Sequence, residues 1–165
     1  MIWEHDYFGL VDEHEDGSLG WTDTVTLSSD VVDIVVTAAH PPADTVTALD
    51  DAAALLQHAE GFDARARDAL IAELSVRQSV VVGYIDDHVD LLGDDLTDFL
   101  VYTSGDIAMD VLRSLRLMTV EINLEQHDPE ESFACFSYSF APDESDSLLR
   151  VFFDARGDVV DIGLD

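Results

Sequence analysis

The chain has 165 residues and a mass of 18.1 kDa, and about 100–200 residues is the usual span of one domain, so residues 1–165 are expected to form a single domain. Acidic residues number 36 against 7 basic ones, a formal net charge of −29; such a chain is not built to neutralise the phosphates of a nucleic acid or to adhere to an anionic membrane, which argues against sequence-independent nucleic-acid binding and membrane adhesion. Hydrophobic residues make up 47% and recur periodically, which excludes intrinsic disorder; a chain of this length should bury about 68–70% of its unfolded surface.

The first forty residues read as strands. Tyr7–Val11 forms a short edge strand, and the acidic stretch Asp12–Gly17 follows it. Trp21–Leu27 is β-branched and alternating, Ser28, Ser29 and Asp30 make a turn, and Val31–Thr37 returns with Val32, Ile34 and Val36 on one face. This is a hairpin pattern. His40-Pro41-Pro42 ends the extended region and Asp44 caps a helix carrying Val46, Leu49, Ala53 and Leu56, with Gly61 as its C′ residue. A second helix runs from about Asp63 to Leu74 on an Ala66, Ala69, Leu70, Leu74 stripe. A third covers about Gln78 to Leu92 with Val82, Ile85, Val89 and Leu92 inward, and Gly93 stops it. Residues 94–104 carry no assigned element. Asp106 caps a short helix through Leu112 with Ile107 and Val111 inward.

Strands then resume. Met118, Val120, Ile122 and Leu124 share one face; so do Ala134, Phe136, Tyr138 and Phe140, and Leu149, Val151 and Phe153. Asp154–Asp158 is a hairpin turn with Gly157 in the left-handed position, and Val160, Ile162 and Leu164 close the sheet. Helices segregated between two groups of strands predict an α+β fold: an antiparallel sheet from the N-terminal hairpin and the C-terminal strands, with three to four central helices on one face. Clean alternation predicts that the other face meets water.

The C-terminal third, Phe133–Phe140, then Leu148–Asp154 and Gly157–Ile162, resembles a bacterial family of uncharacterised proteins, domain of unknown function number two thousand and four. Tyr7-Phe8-Gly9 looks like its opening Tyr-Phe-Gly, and Tyr84-Ile85-Asp86-Asp87-His88 like its Tyr-Ile-x-x-His helix segment. That family often ends in a Glu-Ser pair, where this chain has Leu164-Asp165. The resemblance implies an α+β fold and no established activity, and it supplies no catalytic residues.

Several groups invite a chemical reading. Residues 12–23 place polar groups at loop positions one, three, five and twelve, with Gly17 at six, the spacing of an EF-hand calcium loop. His14 is a poor ligand for a hard cation and the flanks are strands rather than helices, so an acidic hairpin turn on Asp16-Gly17 is the favoured reading. The six histidines, His5, His14, His40, His58, His88 and His127, include no pair at the i, i+4 spacing of a helical zinc site. Asp86, Asp87, His88 and Asp90 offer a hard-cation or acid–base group, against a solvated acidic face with His88 packed inward. Cys135 has no local cation or helix N-terminus to lower its pKa, so it reads as a bystander thiol. The aromatic residues of the C-terminal strands lack the basic neighbours of a nucleic-acid stacking platform. No catalytic, cofactor-binding or metal residue is assigned.

All seven basic residues are Arg, and 26 of the acids are Asp, which fits either a salty cytoplasm or a coding bias. At roughly 8,000 Å² of surface, one net charge falls on about 280 Å², a spacing near 17 Å. That is about two Debye lengths at physiological salt, so extreme salt is permitted rather than demanded. A lone cysteine and an N-terminus with neither basic nor apolar leader point to the cytoplasm. Two functional expectations follow. The first is a non-enzymatic interaction module, of inhibitor or immunity type, steered by its acidity to a basic protein. The second is a metal-dependent enzyme using the 12–16 or 86–90 groups. A homodimer paired through an edge strand or through Val80-Val81-Val82 is a third reading.

Overall fold

A computed structural model describes residues 2–125 and 132–165. Eight strands form one sheet in which every strand lies beside its successor: β1 (Ile2–His5), β2 (Gly9–Glu13), β3 (Leu19–Leu27), β4 (Asp30–Ala38), β5 (Arg116–Asn123), β6 (Ala134–Ser139), β7 (Leu149–Phe153) and β8 (Val159–Leu164). All neighbouring pairs are antiparallel except β4 and β5, which run parallel from Asp33↔Thr119 to Thr37↔Asn123. Parallel neighbours need a long crossover. Here it holds every helix: α1 (Thr45–Gln57), α2 (Ala59–Ala72), α3 (Val80–Leu92), α4 (Leu96–Phe99) and α5 (Ile107–Arg113). The α+β class therefore stands, with one parallel joint at the centre of the sheet.

The alternating β-branched residues of β3 and β4 pair over nine positions, from Leu19↔Ala38 to Leu27↔Asp30. Val32, Ile34 and Val36 turn into the core, where they join Val120 and Ile122 of β5, Phe136 and Tyr138 of β6, and Val151 and Phe153 of β7. Leu49 of α1, Ala66 and Leu70 of α2, and Val81, Tyr84, Ile85 and Leu92 of α3 complete that core from the helical side. Asp44 caps α1 by accepting from the Thr47 amide at 3.1 Å, and Asp106 caps α5 by accepting from the Met109 amide at 3.2 Å. Gly93 ends α3 at φ +51°.

Several boundaries differ from expectation for identifiable reasons. The single N-terminal edge strand is a pair, because Gly9 (φ +69°) lets residues 6–8 turn and so pairs His5 with Gly9. Gly61 is inside α2 rather than beyond α1: the helix breaks at His58, where ψ swings to 20°, and restarts at once. On α3 the inward residues are Val81, Tyr84, Ile85, His88 and Leu92, with Val82 and Val89 half-buried beside them. Val81 is thus fully buried and only Val80 of that valine run is exposed, which removes the run as a pairing surface. On β5 a bulge between Leu117 and Thr119 puts Leu117, not Met118, into the core. A second bulge opposite Phe152 and Phe153 turns Val160 out to solvent.

The far face of the sheet is not uniformly wet. All six residues of β6 are buried, including Cys135, Ser137 and Ser139. Their cross-strand neighbours are longer: Cys135 lies between Glu121 and Phe152, and Ser137 between Thr119 and Arg150. The Arg150 guanidinium pairs with Glu121 at 2.9 Å and lies 5.2 Å from the Phe152 ring centre. Side-chain stems from β5 and β7 thus roof the small residues of β6 without any second layer of helices.

Candidate functional site

The 12–23 stretch is a hairpin turn. β2 continues through Glu13 and β3 begins at Leu19, so Asp12 pairs with Gly20 while Asp23 is carried up the sheet opposite Ile34. The would-be ligands therefore diverge. Gly17 takes φ +84°, and Asp16 Oδ1 accepts from the Ser18 amide at 3.0 Å and its hydroxyl at 2.6 Å. Those hydrogen bonds, the hydroxyl's foremost, hold the Asp16 carboxyl below its ordinary pKa.

The 86–90 segment is divided by the helix. Asp86, Asp87 and Asp90 are exposed, whereas His88 is 2% exposed and faces the core. Its Nδ1–H donates to the Tyr84 carbonyl at 2.8 Å, its ring lies 4.1 Å from that of Tyr84, and its Nε2 is buried without a partner. His5 is also committed. Its Nδ1 accepts from the Tyr7 amide at 3.1 Å, so Nε2 carries the proton and donates to Asp50 at 2.9 Å, leaving no nitrogen for base catalysis. Among the described residues, no three His, Cys, Asp or Glu side chains are grouped to hold a metal ion; His127 lies outside the described residues. Burial pushes the Cys135 thiol up, with Arg150 opposing it only in part, so the thiolate needed for nucleophilic chemistry is disfavoured.

The acidic residues instead form a face. Asp86, Asp87 and Asp90 of α3, Asp94 and Asp95 of the turn after it, and Asp98 of α4 are all exposed. Among the described residues none of the six is in an ion pair. Leu91, 58% exposed, stands among them. Like charges one helical turn apart cost a few tenths of a kcal/mol each. The face is thus an unneutralised, hydrated surface with an apolar residue in its midst.

A second feature lies outside the groups that invited a chemical reading. Asp63 of α2 is buried between the helical layer and the central strands of the sheet. It accepts from Arg67 Nε at 3.0 and 3.2 Å and from the Tyr138 hydroxyl at 2.6 Å. Arg67 also donates to the Leu115 carbonyl at 2.8 Å and lies 3.5 Å from Asp30, which in turn accepts from the Leu117 amide at 3.0 Å. Burial, the Asp63 charge and the hydrogen bond to it push the Tyr138 hydroxyl well above its ordinary pKa. This network ties α2 to β4, β5 and β6.

Above the network opens a cleft of about 700 Å³ between the β3–β4 turn, α2, residues 101–102 and the α5–β5 junction. Arg67, Arg113 and Arg116 line it, three of the seven basic residues of the chain. Its far wall is firmly held: buried Asp110 accepts from the Ser104 amide and hydroxyl at 2.8 and 2.6 Å, and Ser114 accepts from the Val101 amide at 2.9 Å. Only the i, i+4 spacing of Asp63 and Arg67 was a readable signal. The meeting of Asp63, Arg67, Arg113 and Arg116 with Ser28 and Ser29 was not, because those residues lie 34 to 88 positions away along the chain. No helix of the described residues is long and apolar enough to cross a membrane. No family model matches the chain, and neither a curated protein nor a solved structure matches it.

Proposed function

We propose that the protein is a non-enzymatic interaction module that engages a basic protein partner, in the manner of an inhibitor or immunity protein. The observation that carries this reading is the acidic face of α3 and α4: six exposed aspartates around exposed Leu91, none of them in an ion pair among the described residues. Surfaces of one charge sign accelerate encounter with the opposite sign, and an apolar residue among them supplies an anchor once the partner has docked. The buried or committed state of His5, His88 and Cys135 supports binding over catalysis. The likeness to the uncharacterised bacterial family bears on the scaffold and adds no activity to it.

The test is affinity capture from the producing cell's extract with the natural chain and with D86N/D90N/D94N/D98N, at low and high salt. A basic protein held by the natural chain, released by salt and not held by the variant is the expected result. Capture of no basic protein at low salt, or equal capture by the variant, ends this reading. Stoichiometric metal in the purified protein would return weight to metal-dependent chemistry.

A further inference from the structure

We infer that the arginine-lined cleft is a binding site for a small organic anion, with an oxyanion head on Arg113, Arg116 and the Ser28–Ser29 turn and an apolar body against the cleft wall. The first ground is a donor excess. The two carboxylates of the cleft are engaged from within the protein: Asp63 by Arg67 and Tyr138 on both oxygens, and Asp30 through Oδ2 by the Leu117 amide and Arg67, which leaves Asp30 Oδ1 as the one carboxylate oxygen without a partner among the described residues. Against that single acceptor stand several donors. Arg113 and Arg116 are exposed and, among the described residues, form no ion pair or side-chain hydrogen bond; the Ser28 and Ser29 hydroxyls donate to no described protein group. Guanidinium groups pair with carboxylate and phosphate oxygens through two parallel N–H bonds, a geometry that selects oxyanions.

The second ground is the placement of these cations. In a chain of net charge −29 with only seven basic residues, three arginines line this one cleft. Arg113, in the last turn of α5, offsets the helix dipole there, but Arg116 lies on β5 and has no such role. The third ground is the turn opposite. Ser28 and Ser29 both take left-handed backbone conformations, φ +49° and +75°. Two-residue hairpins of this kind favour Asn-Gly, and a non-glycine residue there is strained. Two hydroxyls are thus held at the cleft in a conformation that other residues would adopt more easily. The remaining lining includes Ile71, Leu112 and Leu115, with Val101 and Tyr102 exposed at the rim. Inorganic phosphate alone would leave this apolar wall unused, so the fitting ligand has a body as well as a head.

The test is an amide chemical-shift titration of the full chain with benzoate, phenyl phosphate, inorganic phosphate and neutral benzyl alcohol. Benzoate and phenyl phosphate are expected to shift the amides of Ser28, Ser29, Tyr102 and Ser114–Arg116 saturably, at least tenfold more tightly than benzyl alcohol. Whichever of the two binds more tightly assigns the head group as carboxylate or phosphate. R113Q/R116Q is expected to weaken binding at least tenfold, and R156Q, on the β7–β8 turn outside the cleft, to leave it within twofold. The proposal is overturned if neither aromatic anion shifts these amides up to about 20 mM, if benzyl alcohol binds equally well, or if R113Q/R116Q binds as the natural chain does. The benzyl alcohol comparison is made on the natural chain and so holds whether or not the variant folds.

Discussion

Replacing Arg67 with Met tests the network that joins the two halves of the fold. The side chain of Asp63 is 7% exposed and that of Arg67 25%. Arg67→Met removes two hydrogen bonds and the countercharge from a buried carboxylate, and one donor from the Leu115 carbonyl. Removing one partner of a buried ion pair costs about 3–5 kcal/mol. A quarter-exposed guanidinium means water reaches part of the site, so about 3 kcal/mol is the working figure. Native domains are stable by about 5–15 kcal/mol, so the loss is about a fifth to three fifths of the whole. In a chain of this length it lowers Tm by about 6–12 °C. The triple variant Asp63→Leu/Arg67→Met/Tyr138→Phe removes the charge and the hydroxyl together and should recover most of the loss, because no buried carboxylate is left unpaired. Urea unfolding at neutral pH, followed by tryptophan fluorescence and far-ultraviolet circular dichroism, measures both. A cost below about 1 kcal/mol for Arg67→Met, or a triple variant less stable than the single one, would refute the electrostatic account of this site.

Three further outcomes follow from the same coordinates. The Tyr138 hydroxyl titrates higher in the folded chain than in the unfolded one; its contribution is therefore fully present below the ordinary tyrosine pKa of about 10 and falls as pH rises beyond it, so Tyr138→Phe should show a shallower alkaline loss of stability than the natural chain. Tyr84, raised chiefly by burial, contributes in the same direction and leaves a residual slope. Cys135 should react slowly with a thiol reagent at pH 8 and at the rate of a small thiol once unfolded; fast labelling of the folded chain would contradict its burial and raised pKa. Ser29→Gly relieves left-handed strain at φ +75° and should stabilise the β3–β4 hairpin by about 0.5–1 kcal/mol in urea unfolding, net of the added entropy of the unfolded chain.

Much of the scaffold was legible because burial on one face imposes a period on the chain. Val32, Ile34 and Val36 alternate, and the structure buries all three. Asp44 and Asp106 cap helices because each side chain meets an amide only three positions on, a local matter. The bulges near Met118 and Val160 were hidden, since an extra residue in one strand is defined only by its partner strand. The wet or dry state of Cys135 and Ser137 was hidden for the same reason: their roof is made by Arg150, Glu121 and Phe152 from two other strands.

The candidate sites divide along this line. Composition alone determined the acidity, and helical periodicity alone separated Asp86, Asp87 and Asp90 from the inward His88. Only the tertiary structure decided that Asp30, Asp63, Arg67, Arg113, Arg116 and Tyr138 converge, because the parallel joint between β4 and β5 returns the chain to its own hairpin after the whole helical layer. Sequence spacing governs contacts one turn or one strand apart. Contacts across a crossover are set by how the two sheet halves and the helices pack, which no local pattern encodes.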